Sequence, residues 1–141
     1  MNQETVGRPL EVLLVEDDLE DAGLAFEALK QGEVPCRISL VRDGEEALEF
    51  LHKAGKYARA PRPDIILLDI QMPKLDGRGV LAVIKKEDEL KSIPVVVMTV
   101  SAAHKQILEE ENLRVESYLT KPFDLQQFLS VVKSLRRYLL D

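Results

Sequence analysis

Apolar residues in this chain fall into two kinds of stretch that alternate along its length. Short unbroken runs occur in EVLLVE (residues 11–16), in RISLVRD through Ile38, Leu40 and Val41, in DIILLD (64–69), in VVVMT (95–99) and in VESYLTKP (115–122). Between them, apolar positions recur every three or four residues: Leu19, Ala22, Phe26 and Leu29, then GEEALEFL from Gly44 to about Leu51, then Val80, Leu81 and Ile84, then Ala102, Ala103, Ile107 and Leu108, and last Leu125, Phe128, Leu129, Val132, Leu135 and Leu139. The first kind predicts strands and the second helices with one buried face. Gly32 is placed to stop the first helix. Asp43, three residues before Glu46, resembles a capping box that starts the second, and the last is set to start at Asp124. Five strands alternating with five helices over short connections imply right-handed crossovers, and hence an α/β fold whose parallel sheet is covered on both faces.

The central run sharpens this picture. Ile65 to Leu68 are four consecutive aliphatic residues, which suits a strand buried on both sides, and the strand delivers one carboxylate, Asp69, to its end. In open parallel sheets chemistry gathers outside the carboxyl ends of the strands, so an Asp there is either a working group or a cap for the next loop. Other polar residues share that address: Glu16 and Asp17 after the first strand, Thr99 after the fourth and Lys121 after the fifth. Three carboxylates brought together repel one another unless a cation sits among them. With oxygen ligands alone and no His or Cys nearby, the natural cation is Mg2+. A carboxylate beside such an ion, an ammonium and a hydroxyl is equipped to accept a phosphoryl group.

Composition narrows the partners. The chain has 141 residues, enough for one well-cored domain, and it is 45% hydrophobic and 31% charged with no Trp. A net charge of -6 argues against binding nucleic acid through its phosphates. The single cysteine, Cys36, makes no intrachain disulfide and reads as a small buried packing residue. No apolar run reaches the length of a membrane span or resembles a signal-peptide core, so no membrane association is expected and the cytoplasm is the default location. The basic segment HKAGKYARAPRP (52–63) reads as a surface loop or lengthened helix end with solvated Lys and Arg. His52 and His104 have no metal-ligand partner in sequence and read as surface residues.

The set LLVEDD, DIILLDIQMPKLDG, PVVVMT and YLTKPFD resembles the response-regulator receiver domain of bacterial two-component signalling, from about Glu11 to Tyr138. That resemblance implies the flavodoxin-like receiver fold, a doubly wound five-stranded parallel sheet in the order 2-1-3-4-5. It also implies a single receiver of the chemotaxis type over residues 8–141, a flexible tail at 1–7 and no output domain. By the same resemblance Asp69 is the phosphoacceptor for a histidine kinase's phosphohistidine. Asp17, Asp69 and the backbone carbonyl of Gln71 would ligate Mg2+, with Glu16 acting through water. Thr99 and Lys121 would hold the phosphoryl oxygens, across a cis Lys121-Pro122 bond. Tyr118 matches the aromatic that turns inward as Thr99 moves, and it is equally readable as a half-buried aromatic on an edge strand.

The stretch EFLHKAGKYARAPRPDIILLD is further similar to the single-domain regulators paired with bacterial phytochromes. A photoreceptor kinase partner is then expected, with a homodimer through the fourth helix, fifth strand and fifth helix. Leu139 and Leu140 would either pack on the second subunit or finish the monomer core. Gln71 departs from the small polar residue frequent there, and it and Ser101 occupy places that influence how fast water reaches the acyl phosphate. Val100, where the family usually has Ala, Gly, Ser or Thr, narrows access for small phosphodonors.

Two other functions use similar folds. A Mg2+-dependent phosphatase working through an aspartyl phosphate needs a second acid two residues after its nucleophile, and here that residue is Gln71. A flavin or nucleotide carrier needs a phosphate-cradling loop after the first strand, where this chain has Glu16, Asp17 and Asp18. A receiver-like scaffold that is never phosphorylated would not need every charged member of the pocket.

Overall fold

The computed structural model describes residues 9–31, 35–70, 76–99 and 117–120, together with Gln106, Glu109, Gln126, Gln127 and Ser130. Its elements are β1 (Leu10–Val15), α1 (Leu19–Gln31), β2 (Cys36–Val41), α2 (Gly44–Leu51), a 3-10 turn (Gly55–Tyr57), β3 (Ile65–Asp69), α3 (Gly77–Lys86), β4 (Val95–Thr99) and β5 (Ser117–Thr120). All strand pairs are parallel and the order is β2-β1-β3-β4-β5, as expected for the doubly wound sheet. The helical stretches expected at 102–108 and 124–139 lie outside the described residues, except that Gln106, Glu109, Gln126, Gln127 and Ser130 are helical. Gly32, Ser101 and the Lys121-Pro122 bond also lie outside, as do Val100, His104, Leu139 and Leu140.

Alternation along the three inner strands sorts their side chains into two cores. Leu13 and Val15, Ile66 and Leu68, and Val95 and Val97 pack with Phe50 of α2 and Val80, Leu81 and Ile84 of α3. Val12 and Leu14, Ile65 and Leu67, and Val96 and Met98 pack on the other side with Ala22, Ala25, Ala28 and Leu29 of α1. All five residues of β3 are buried. Each large aliphatic side chain so covered stabilises the fold by about 1.5–3 kcal/mol, so the strand that ends in Asp69 is among the hardest parts of the molecule to move. No helix in the described residues is long and apolar enough to cross a membrane.

Several local expectations change. Leu19 is 62% exposed and Leu24 51%, because Asp18 caps α1 and small alanines occupy the face against the sheet. Cys36 is half-buried, packed at the margin of the second core, and burial pushes its thiol up. Asp43 caps α2 by accepting the Glu46 N–H at 2.8 Å, but Glu46 returns its carboxylate to the N–H of Arg42, one residue before the cap.

The basic segment is not simply solvated. It leaves α2 through Lys53, which stands in the left-handed region at φ 56° where a glycine is usual, with the Ala54 N–H closing back on the Glu49 carbonyl at 2.9 Å. Lys56 pairs with Glu46, while Arg62 donates to the Glu89 carbonyl and the Ser92 hydroxyl. Exposed His52 meets Glu87 at 2.8 Å across 35 residues, a partner that no local spacing announces.

Tyr57 shows what this segment does. Its ring lies 5.2 Å from that of Phe50, and its hydroxyl donates to Glu46 at 2.7 Å. Burial and then the Glu46 carboxylate push the phenol up to about 12, so the fold favours the neutral form. Its contribution is therefore complete below the ordinary phenol value of 10 and is lost as pH rises through about 12. In an alkaline titration followed by phenolate absorbance, Tyr57→Phe is expected to delete the step near 12 and to flatten the loss of stability above pH 10. Retention of that step in the Phe variant would assign it elsewhere.

Candidate functional site

Register brings the expected acids to one edge. Val15 pairs with Leu68, so Glu16 and Asp17 leave β1 beside Asp69, the last residue of β3. Asp69 pairs with Met98, which places Thr99 one position further along the same edge, and Thr99 pairs with Thr120 of β5. Glu16, Asp17 and Asp69 each offer a carboxylate oxygen, and these oxygens all lie within 4.8 Å of one another. Glu16 is 1% exposed and Asp69 5%, with Asp17 partly covered. Gln71 and Lys121 lie outside the described residues, and of Thr99 only the backbone is described.

Short-range backbone contacts hold this arrangement. The Glu16 N–H donates to the Val41 carbonyl at 3.0 Å, tying the end of β1 to the end of β2. Glu16 Oε2 in turn accepts the Asp18 N–H at 3.2 Å. Asp18, the third acid of the run, turns away: its Oδ1 accepts the N–H groups of Glu20 and Asp21 at 2.9 and 3.1 Å, which caps α1. An Asp just before a helical pattern was the available sign of that role. On the Asp69 side, the Ile70 N–H donates to the Met98 carbonyl at 3.2 Å, and the Gly77 N–H donates to the Ile70 carbonyl at 3.0 Å.

Gly77, the first residue of α3, sits against the end of β3. A Cβ on it would lie 2.5 Å from the Asp69 carbonyl oxygen and 2.6 Å from Ile70 Cα. Both neighbours are backbone and neither can swing aside, so the start of α3 packs directly on the strand end that carries Asp69.

Tyr118 on β5 is half-buried against the first core, and burial and then Glu109 push its phenol up. That environment is the half-buried aromatic of an edge strand.

Chemically, three carboxylates this close are ill at ease alone. At an effective dielectric near 20, each charged pair at such a separation costs about 3 kcal/mol. A donor set of carboxylate oxygens only, two of them shielded from water, fits a hard divalent cation and no soft one.

Residues 12–133 match the family model of the response regulator receiver domain. The chain belongs to that family. Over 133 residues the receiver is 41% identical to the response regulator Rcp1 of Synechocystis sp., covering 94% of this chain and 90% of Rcp1. Its fold matches that of the phosphorylated cyanobacterial phytochrome response regulator RcpA with a TM-score of 0.79 at 44% identity, covering 94% of this chain and 95% of that one. It matches the Mn(2+)-bound form of Rcp1 with a TM-score of 0.79 at 41% identity, over 94% and 96% of the two chains. Receivers are signalling components of two-component systems, and RcpA is a cyanobacterial phytochrome response regulator.

Two measurements probe this geometry. Gly77→Ala is expected to destabilise the receiver by about 1–3 kcal/mol in urea unfolding, since the added methyl must displace the Asp69–Ile70 backbone. Asp17→Asn is expected to melt higher than wild type without divalent cation, because it relieves repulsion. It should also lose the stabilisation of about 1.4 kcal/mol that a cation at ten times its Kd confers on wild type. Equal cation-induced shifts in both proteins would detach Asp17 from the cation.

Proposed function

We propose that this receiver takes a phosphoryl group from the phosphohistidine of a histidine kinase onto Asp69. The observation that carries the reading is the convergence of Glu16, Asp17 and Asp69 within 4.8 Å at the carboxyl edge of the sheet. In the transfer, an Asp69 carboxylate oxygen bonds to phosphorus as the bond from phosphorus to the imidazole nitrogen breaks, and the imidazole leaves with that electron pair. Mg2+, held by Asp17, Asp69 and the Gln71 carbonyl with Glu16 acting through water, would supply positive charge to the phosphoryl oxygens.

The rest is done by the chain. β3 holds Asp69 still, and the near-total burial of Glu16 and Asp69 excludes competing water from the pocket floor. Thr99 donates its hydroxyl to one phosphoryl oxygen and Lys121 its ammonium to another. Phosphorylation replaces one carboxylate with a group of greater negative charge and three acceptor oxygens, and Thr99 and Lys121 reorganise around it. Tyr118 follows Thr99 inward, and the surface of the fourth helix, β5 and the fifth helix shifts between two arrangements that favour different dimer or partner contacts. The similarity to the phytochrome response regulator RcpA supports a phytochrome-type kinase as donor, and two copies of the chain pair through that surface. The protein acts as a cytoplasmic switch without turnover of a free substrate.

Asp69→Asn is expected to abolish labelling by a phosphorylated kinase. Lys121→Ala should permit labelling while blunting the change in dimerisation measured by light scattering. Labelling of the Asn variant at the wild-type level would overturn the assignment.

A further inference from the structure

Residues 52–63 fold back along α2 and end a chain of contacts that reaches the acidic loop. The Tyr57 hydroxyl donates to Glu46 Oε2 at 2.7 Å, and Lys56 Nζ approaches the same oxygen at 3.4 Å. The other oxygen, Glu46 Oε1, accepts the backbone N–H of Arg42 at 2.8 Å. The Arg42 guanidinium then donates through Nη2 to the backbone carbonyl of Asp17 at 3.1 Å, across 25 residues. Burial by itself would raise the Glu46 carboxyl, but the Tyr57 hydroxyl, the Arg42 N–H and Lys56 together hold it below the usual range, so the middle link stays a charged acceptor.

We propose that Arg42, braced through Glu46 by Tyr57, is a positioning residue for the divalent-cation site, holding the Asp17 backbone so that its carboxylate stays beside Glu16 and Asp69. This rests on the cation-binding reading of those three acids. Mutual repulsion acts to push the Asp17 side chain outward, and its backbone lies between the Glu16 tie to Val41 and the Asp18 cap of α1. The Arg42 contact joins that point of the chain to the start of α2. It grips the carbonyl, not the carboxylate, and so leaves the Asp17 oxygens available. Contacts behind metal ligands commonly govern affinity by orienting them.

The proposal predicts a sign opposite to that of simple electrostatics. A cation parked beside an acidic site weakens binding of a second cation, so removing the Arg42 charge would tighten binding if charge were all that mattered. If positioning dominates, Arg42→Ala weakens binding. The contact is solvent-exposed, which sets the expected loss at about fivefold. Tyr57→Phe removes one brace without changing any charge and is expected to weaken binding about twofold.

Binding of Mn2+ to the full chain, followed by the electron paramagnetic resonance signal of the free ion, provides the test. Wild type, Arg42→Ala, Arg42→Lys, Tyr57→Phe and Asp17→Ala are compared, with thermal melts to establish folding. Expected are loss of binding in Asp17→Ala, weaker binding in Arg42→Ala, partial recovery in Arg42→Lys and the smaller loss in Tyr57→Phe. Affinity equal to or above wild type in Arg42→Ala, with binding still lost in Asp17→Ala, would overturn the positioning role alone. Binding of Mn2+ in Asp17→Ala as strong as in wild type would instead remove the site reading beneath it. Should Arg42→Ala not fold, Tyr57→Phe carries the same decision, and unchanged affinity there overturns the brace.

Discussion

Like charges are held together here, and the rest of the architecture makes that tolerable. Among the described residues Glu16 and Asp69 are the charged side chains almost wholly removed from water, and Asp17 completes a group whose oxygens lie within 4.8 Å. Nothing local would favour such a cluster. It forms because β1 and β3 pair in a register that ends both strands at one edge, and that register is enforced by two apolar cores whose burial far outweighs the repulsion. A receiver thus stores electrostatic discomfort on a rigid floor, where a divalent cation can release it.

The floor is stiff on one side and trimmed on the other. β3 is covered above and below, whereas the chain beyond Asp69 must turn and enter α3 within a few residues. Gly77 allows that by bringing its backbone onto the Asp69 carbonyl. On the opposite bank, Asp18 ends the acidic run by capping α1, so three consecutive acids divide into a buried one, a partly covered one and a structural one.

Much of this was legible in the sequence because the signals were strong and local. Unbroken aliphatic runs marked the strands, and the position of Asp69 at the end of the most apolar run marked the site. Asp43 and Glu46 marked the start of α2. What escaped depended on chain segments meeting at a distance. Leu19 fits a helical period, yet the Asp18 cap leaves it facing solvent, and the sheet-facing side is lined by alanines that carry little hydrophobic signal. Arg42, Glu46 and Tyr57 look like ordinary surface and loop residues until the segment after α2 is seen to fold back on the helix. The steric role of Gly77 is invisible without the backbone it touches.

β3 is only five residues long and buried throughout, which makes it a ruler with a parity. Deleting or inserting one residue within it would exchange the occupants of the two cores and turn the terminal carboxylate toward the opposite helix layer, about 3.3 Å out of place. Any change in the spacing between Asp64, itself clamped to Glu11 at 2.8 Å, and Asp69 must therefore come in whole pairs of residues. A single-residue change in length is tolerated only in segments outside the strand.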